Sequence, residues 1–304
     1  MVCNLCRKKP VITISGIDLC KDCFIGYFER KVKKTIRQYD LISDKDKVLV
    51  AASGGKDSTV VLYILNQILK QRKQKITAFI IDLGIGEYSK KNLSNIRSFC
   101  KKEGIELLKF SMKDEFGYSL CYIKSVLAGK GLKLKSCNIC GVLRRYMMNK
   151  LARKNKFTKL VTGHNLNDEA QTVLMNQFKG NIWLNAKLGP MGGAVKSKSF
   201  VPRIKPLYFC SENEITLYSK LKKFSVVYDR CPCSVDAYRA KMRAMLKEFE
   251  EKYPGTLNGI VNSFLAIRPF LNKKKKGKVK LCKRCGEPAM SSICKACEII
   301  EKLR

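Results

Sequence analysis

Along this chain, short apolar runs alternate with longer stretches in which apolar residues recur every three or four positions. Residues 47–52 (KVLVAA) form an unbroken apolar run, the pattern of a strand buried on both faces. Residues 57–70 follow with Val60, Val61, Ile64, Leu65, Ile68 and Leu69 on one helical face. The alternation repeats as a strand over 76–82, a helix over 89–103 with Ser89 as its cap, and a strand over 105–110. A basic helix over 142–154, a strand over 159–162 and a helix over 166–178 complete it. Such a sequence predicts an α/β fold with an open parallel sheet and helices on both faces. Ligands on these sheets bind beyond the C-terminal ends of the strands, which gathers residues 53–58, 82–86 and 163–168. Ahead of the sheet, residues 24–39 read as a basic amphipathic helix. Residues 180–206 read as loops, 226–228 as a short strand, and helices return at 211–222, 234–251 and 256–266.

Composition narrows the class. The 304 residues suffice for one sizeable domain with small appendages, and 45% hydrophobic content suits a packed core. No run of eighteen apolar residues suggests a membrane span, and the first residues lack an apolar signal region. A cytoplasmic location is therefore expected. Lys+Arg is 61 against Asp+Glu 25, a net charge of +36. The bland reading is general solubility. Basic residues spread along the whole chain favour a nucleic-acid partner instead.

Fifteen cysteines in such a chain suggest metal rather than disulfides. Cys3-x-x-Cys6 and Cys20-x-x-Cys23 are separated by thirteen residues, and Cys282-x-x-Cys285 and Cys294-x-x-Cys297 by eight. Two such turns make a closed four-thiolate zinc site whose metal supplies folding free energy to a segment too short for its own core. Three parts follow: an N-terminal zinc module (1–28), a main domain (29–272), and a basic linker with a C-terminal zinc module (273–304). Cys137-x-x-Cys140 has no second C-x-x-C nearby, and Cys231-Pro232-Cys233 lies far downstream. Spacing alone leaves an iron–sulfur site, a dithiol redox pair and two buried thiols open.

Between the first strand and its helix stands Ala52-Ser53-Gly54-Gly55-Lys56-Asp57-Ser58. Two glycines, two hydroxyls, a lysine and a helix N-terminus make a phosphate cradle. The spacing fits neither G-x-x-x-x-G-K-[ST] nor G-x-G-x-x-G.

Ser53-Gly54-Gly55-Lys56-Asp57-Ser58 resembles the PP-loop of the ATP pyrophosphatases. The whole chain is similar to the TtuA-type tRNA 2-thiouridine synthetases, which include the cytosolic wobble-uridine thiolation subunits of eukaryotes and archaeal relatives. The matching signatures are the terminal cysteine knuckles, the PP-loop, Ser136-Cys137-x-x-Cys140-Gly141, Thr162-Gly163-His164-Asn165 with Asn167-Asp168-Glu169-Ala170, and Cys231-Pro232-x-Ser234.

The resemblance implies a Rossmann-like PP-loop domain that adenylates a uridine C2 oxygen and then replaces it with sulfur. It implies ATP on Ala52, Ser53, Gly54, Gly55, Lys56, Asp57 and Ser58, with the adenine near Asp82 and Gly163. It implies Mg²⁺ near Asp57 or Asp168, and a [4Fe–4S] cluster on Cys137, Cys140 and Cys231 with one iron open. Asp168 and Arg144 match acidic and basic positions of the family; an arginine stays protonated. The expected partners are tRNA, with its target base unstacked, and a sulfur donor, either sulfide or a thiocarboxylated ubiquitin-like protein. A homodimer is one expectation for the assembly. Cys233 stands where the family commonly has an aromatic, and reads as a swapped ligand, a persulfide carrier or a spare thiol. Cys100, Cys121 and Cys210 read as buried or incidental, and His164 as a residue that orders its turn. Two alternatives are 2-thiocytidine synthesis, whose enzymes lack the paired zinc modules, and a non-catalytic zinc-dependent RNA-binding protein.

Overall fold

The computed structural model describes residues 2–132, 136–192, 199–229, 231–234, 238–273 and 280–303. Six strands form one sheet in the order Glu106–Ser111, Ile76–Asp82, Val48–Ala51, Lys159–Val161, Arg203–Ile204, Met191–Gly192. All neighbours are parallel except the last pair. The run at 47–52 lacks polar alternation because its strand is covered on both sides. Val48 and Val50 join a cluster with Val60, Val61, Ile64 and Leu65 of the helix Lys56–Gln71. Leu49 packs the other way, against Met148, Leu151 and Ala152 of the helix Ser136–Lys154. Each fully buried Leu or Val contributes about 1.5–3 kcal/mol.

The helices Lys21–Gln38 and Glu212–Leu221 complete the first face, with Phe28 stacked on Tyr218 at 4.7 Å between centroids. Val48–Ala51 pairs with Ile76–Asp82 on one side and Lys159–Val161 on the other. Its C-terminal end is therefore the point where chain connections diverge, and a crevice opens there.

Several expectations need correction. The helix read from Ser89 begins at Gly86, and the Ser89 hydroxyl instead accepts from the Ile85 N–H at 3.0 Å. The basic helix read from 142 begins at Ser136, so Cys137 and Cys140 lie on its first turns. A helix at Leu120–Gly129 was not foreseen. Residues 180–206 are not all loop: they hold a 3₁₀ turn (Ile182–Lys187) and the two short edge strands. Residues 226–228 make no strand, only a single bridge from Val227 to Gly55. The last long helix runs from Thr256 to Lys273, with Pro269 inside it. Residues 235–237 of the expected 234–251 helix, and 274–278 of the basic linker, lie outside the described residues; the helix is described from Tyr238 to Lys252.

Each terminal module is a two-stranded hairpin beside a helix. Ile12–Ile14 pairs with Ile17–Leu19, and Lys280–Leu281 with Pro288–Ala289. The N-terminal module runs straight into Lys21–Gln38. The C-terminal one packs Cys282, Ala289, Ala296 and Ile299 into a cluster with Ile139, Leu143 and Met147. Glu287, buried, fixes it there: its carboxylate accepts from Asn149 Nδ2 and from Arg153, both at 2.8 Å.

Candidate active site

The turn after Val48–Ala51 is closed by its own hydroxyls. The Ser53 N–H donates to Ser58 Oγ at 3.0 Å, and Ser58 Oγ and Thr59 Oγ1 donate to the Gly55 carbonyl at 3.0 and 3.1 Å. Gly54 has φ +82°, and a Cβ there would stand 2.6 Å from the Asn92 carbonyl oxygen, so this position requires glycine. Gly55 caps the helix without a side-chain acceptor, which leaves first-turn N–H groups for an anion.

Lys56 Nζ meets Asp57 at 3.1 Å and Glu212 at 3.0 Å. Burial opposes its charge, but the two carboxylates outweigh that and raise its pKa. The Asp57 carboxyl is pushed up by burial and by Asp168, against the pull of Lys56. A cationic ligand between Asp57 and Asp168 would relieve both effects.

The turn at 163–168 is stitched to this loop. Asn165 Nδ2 donates to Asp57 Oδ1 at 2.9 Å, while Asn165 and Asp168 cap each other at the start of the helix Leu166–Phe178. A Cβ on Gly163 would stand 2.9 Å from Asp57 C and Ser58 N, so glycine permits the close approach. Asp168 also faces Arg239 at 3.9 Å. His164 places Nδ1 2.8 Å from Thr162 Oγ1. The ring is exposed, yet desolvation and then the charges of Lys205, Arg203, Arg239 and Arg144 push its pKa down, which favours the neutral form. Behind it, Lys205 and Glu169 form a buried pair at 2.6 Å.

A cleft of about 320 Å³ runs from this loop to the cysteines. Ala52, Ser53 and Asp82 line one end, and Cys137, Cys140, Cys231 and Arg144 the other. Buried Asn92 Oδ1, which has no hydrogen-bond partner, lies on a residue of its wall. Burial, offset by Arg144 and reinforced by Cys231, pushes the Cys140 thiol up. Arg144 lies close enough to that sulfur for its charge to favour the thiolate. The three thiols therefore share one concavity. Among the described residues, however, only Cys3, Cys6, Cys20, Cys23 and Cys282, Cys285, Cys294, Cys297 bring all their sulfurs within 4.8 Å of one another. That compactness suits a single ion. A wider three-thiol set suits a larger, multi-iron group, and its soft donors are those such a group takes.

Cys233 lines the same cleft, and its carbonyl accepts from Cys137 Sγ at 3.7 Å. Cys121, which reads from the sequence as buried or incidental, is exposed and stands near Cys233; desolvation and then Cys233 raise its pKa. Cys100 and Cys210 are buried as expected. No motif marks Glu212 or Arg239, and each reaches the site across a long stretch of chain.

The model of the ATP_bind_3 family, described as a PP-loop domain, matches residues 26–249. The chain belongs to the PP-loop family. PP-loop relatives match over nearly the whole length. The tRNA-5-methyluridine(54) 2-sulfurtransferase of Pyrococcus horikoshii is 35% identical over 98% of this chain and 93% of its own. The tRNA 2-thiolation protein NcsA of Haloferax volcanii is 30% identical over 100% and 99%. Among solved PP-loop structures, the U34-tRNA thiolase NcsA of Methanococcus maripaludis, determined with its [4Fe–4S] cluster, has a TM-score of 0.84 at 32% identity and covers 100% of this chain and 96% of that one. No helix among the described residues is long and apolar enough to cross a membrane.

Proposed function

We propose that this PP-loop protein is an ATP-dependent tRNA uridine 2-sulfurtransferase. The observation that carries the reading is the shared cleft: Ala52 and Ser53, at the start of the phosphate-binding turn, line one space with the three cysteines. An adenylating enzyme without sulfur chemistry has no use for the cysteines, and a passive RNA binder has no use for the turn. The names of the long-range relatives agree.

In this reading the helix N-terminus at Gly55–Ser58, the Ser53 and Ser58 hydroxyls and Lys56 hold the ATP phosphates, and Asp82 and Gly163 flank the adenine. Lys56 exchanges Glu212 for phosphate. Asp57 and Asp168 would hold Mg²⁺, which neutralises phosphate charge. The uridine C2 oxygen attacks the α-phosphorus, the bond to the β-phosphate oxygen breaks, and pyrophosphate leaves. Adenylation turns a poor leaving oxygen into a good one. Cys137, Cys140 and Cys231 would hold a [4Fe–4S] cluster, which supplies an open iron able to present sulfide to C2. Arg144 keeps positive charge at Cys140, and neutral His164 orders the turn at 163–168. The eight terminal cysteines would bind two structural zinc ions, and sulfide or a thiocarboxylated carrier would supply the sulfur. The expected setting is the cytoplasm.

The test is nucleoside mass spectrometry of tRNA from a strain lacking this protein, mapped by position. Loss of one 2-thiouridine species, restored by the intact gene and not by a Lys56→Ala form, is expected. Unchanged 2-thiouridine together with lost 2-thiocytidine would overturn the uridine assignment.

A further inference from the structure

A second concavity lies on the far side of the helix Ser136–Lys154. It measures about 390 Å³ and separates the C-terminal cysteine module from the sheet. Arg145, Asn149, Phe200, Arg203, Met290 and Lys295 are among the residues that form its walls. Glu287 is the one carboxylate among its described lining residues, and Asn149 and Arg153 already occupy it. Lys295 is held by Glu298 at 2.9 Å. Arg145 and Arg203 differ: among the described residues neither guanidinium has an ion pair or hydrogen bond.

We infer that this groove is a phosphodiester-binding site, in which Arg145 and Arg203 clamp the backbone of the RNA strand that flanks the target base. The inference rests on the proposal that the substrate is tRNA.

Both arginines are exposed on the walls of the groove, where they repel each other and only Glu169, itself paired with Lys205, offsets the charge of Arg203; a phosphate between them removes that repulsion. Desolvation and then the charges of Arg203 and Arg144 lower the Arg145 pKa; desolvation lowers that of Arg203 against the pull of Glu169. Both remain protonated at neutral pH. A planar guanidinium matches the geometry of a phosphate, whereas a point charge does not select it.

The location connects the groove to the chemistry. A Cβ on Gly141 would lie 3.1 Å from Arg145 Nη1, so the guanidinium lies against the helix one turn back, beside Cys140. Arg144, the preceding residue, faces the cysteine cleft. Neighbouring arginines thus serve neighbouring concavities, and a strand whose phosphates rest on Arg145 and Arg203 passes the lip of the cleft. Phe200 and Met290, 43% and 64% exposed at the rim, offer apolar surface on which an unstacked flanking base can rest.

The experiment compares the intact wild-type protein with Arg145→Gln/Arg203→Gln, and with Lys45→Gln/Lys75→Gln, exposed lysines whose loss removes the same charge elsewhere. Fluorescence anisotropy measures the affinity for unmodified tRNA over a range of salt. Zinc content and binding of a fluorescent ATP analogue establish that each variant is folded. The arginine variant should bind tRNA on the order of tenfold more weakly near physiological salt, and its log K against log salt slope should fall by about 1.4–1.8. The lysine variant should stay within about twofold of wild type. Arg145→Lys/Arg203→Lys should recover the slope but not all the affinity. Arginine and lysine variants that behave alike would overturn the groove while leaving the substrate reading intact. Competition by a polyglutamate peptide equal to that by RNA of the same charge would reassign the groove to acidic protein. Failure of the wild type itself to bind tRNA would overturn the substrate reading and the groove with it.

Discussion

Replacing Gly163 with alanine tests how tightly the two ligand-binding turns are coupled. The added Cβ would stand 2.9 Å from Asp57 C and Ser58 N and 3.0 Å from Asp57 O. Heavy atoms pack best from about 3.5 Å, so the turns must separate by about 0.6 Å. The obstructing atoms are backbone, so no rotamer change absorbs the strain. Overpacking of this kind costs about 1–3 kcal/mol. The same displacement carries the Asn165–Asp57 bond, now 2.9 Å, to the limit of hydrogen bonding. Misplacement of about 1 Å in a catalytic array costs up to about a hundredfold, so about 0.6 Å should lower turnover on the order of tenfold. Pyrophosphate release at saturating ATP and tRNA reads this directly, and Tm should fall roughly 2–4 °C per kcal/mol. Affinity for tRNA should stay within about twofold. Wild-type turnover at wild-type Tm would refute the claim that this contact sets the position of the phosphate turn.

Lys56→Ala leaves Asp57 and Glu212 uncompensated beside the phosphates; pyrophosphate release should drop on the order of a hundredfold while tRNA binding persists. Retained release would contradict the assignment of the turn. Anaerobically prepared protein should contain about two zinc and about four iron atoms per chain. Cys231→Ser should lose the iron and Cys233→Ser should keep it, by metal analysis and cluster absorbance; the reverse would move the third ligand to Cys233. Although the His164 ring is exposed, desolvation and then the nearby lysine and arginine charges lower its folded pKa, to about 3, whereas an unfolded ring takes its proton near 6.5. The unfolded state thus binds more protons between those values, and stability falls as pH drops below 6.5. His164→Asn should remove that component of the Tm–pH curve and keep most adenylation. An activity limb near pH 6–7 that vanishes in the variant would instead make His164 a general base.

The strands at the centre of the sheet were legible because burial on both faces makes them continuous apolar runs. The sheet edge was not, since Met191–Gly192 and Arg203–Ile204 are too short to show a period. The helix Ser136–Lys154 was read too short because cysteine, asparagine and glycine hide its first turns. The turns and knuckles were visible as local motifs. Glu212 on Lys56 and Cys121 on Cys233 were not: tertiary packing makes both contacts, and no spacing encodes them.

The seat of the C-terminal module has a consequence in time. Glu287 closes on Asn149 and Arg153 across 138 and 134 residues. Synthesis at about 5–20 residues per second means that Glu287 emerges roughly 7–28 s after the helix it secures. Throughout that interval Ile139, Leu143 and Met147, on the helix that carries Cys137 and Cys140, lack the module that helps cover them. The nascent chain therefore meets the cell with two of the proposed cluster cysteines on an unfinished support, and ribosomal stalling over residues 154–287 would prolong that state.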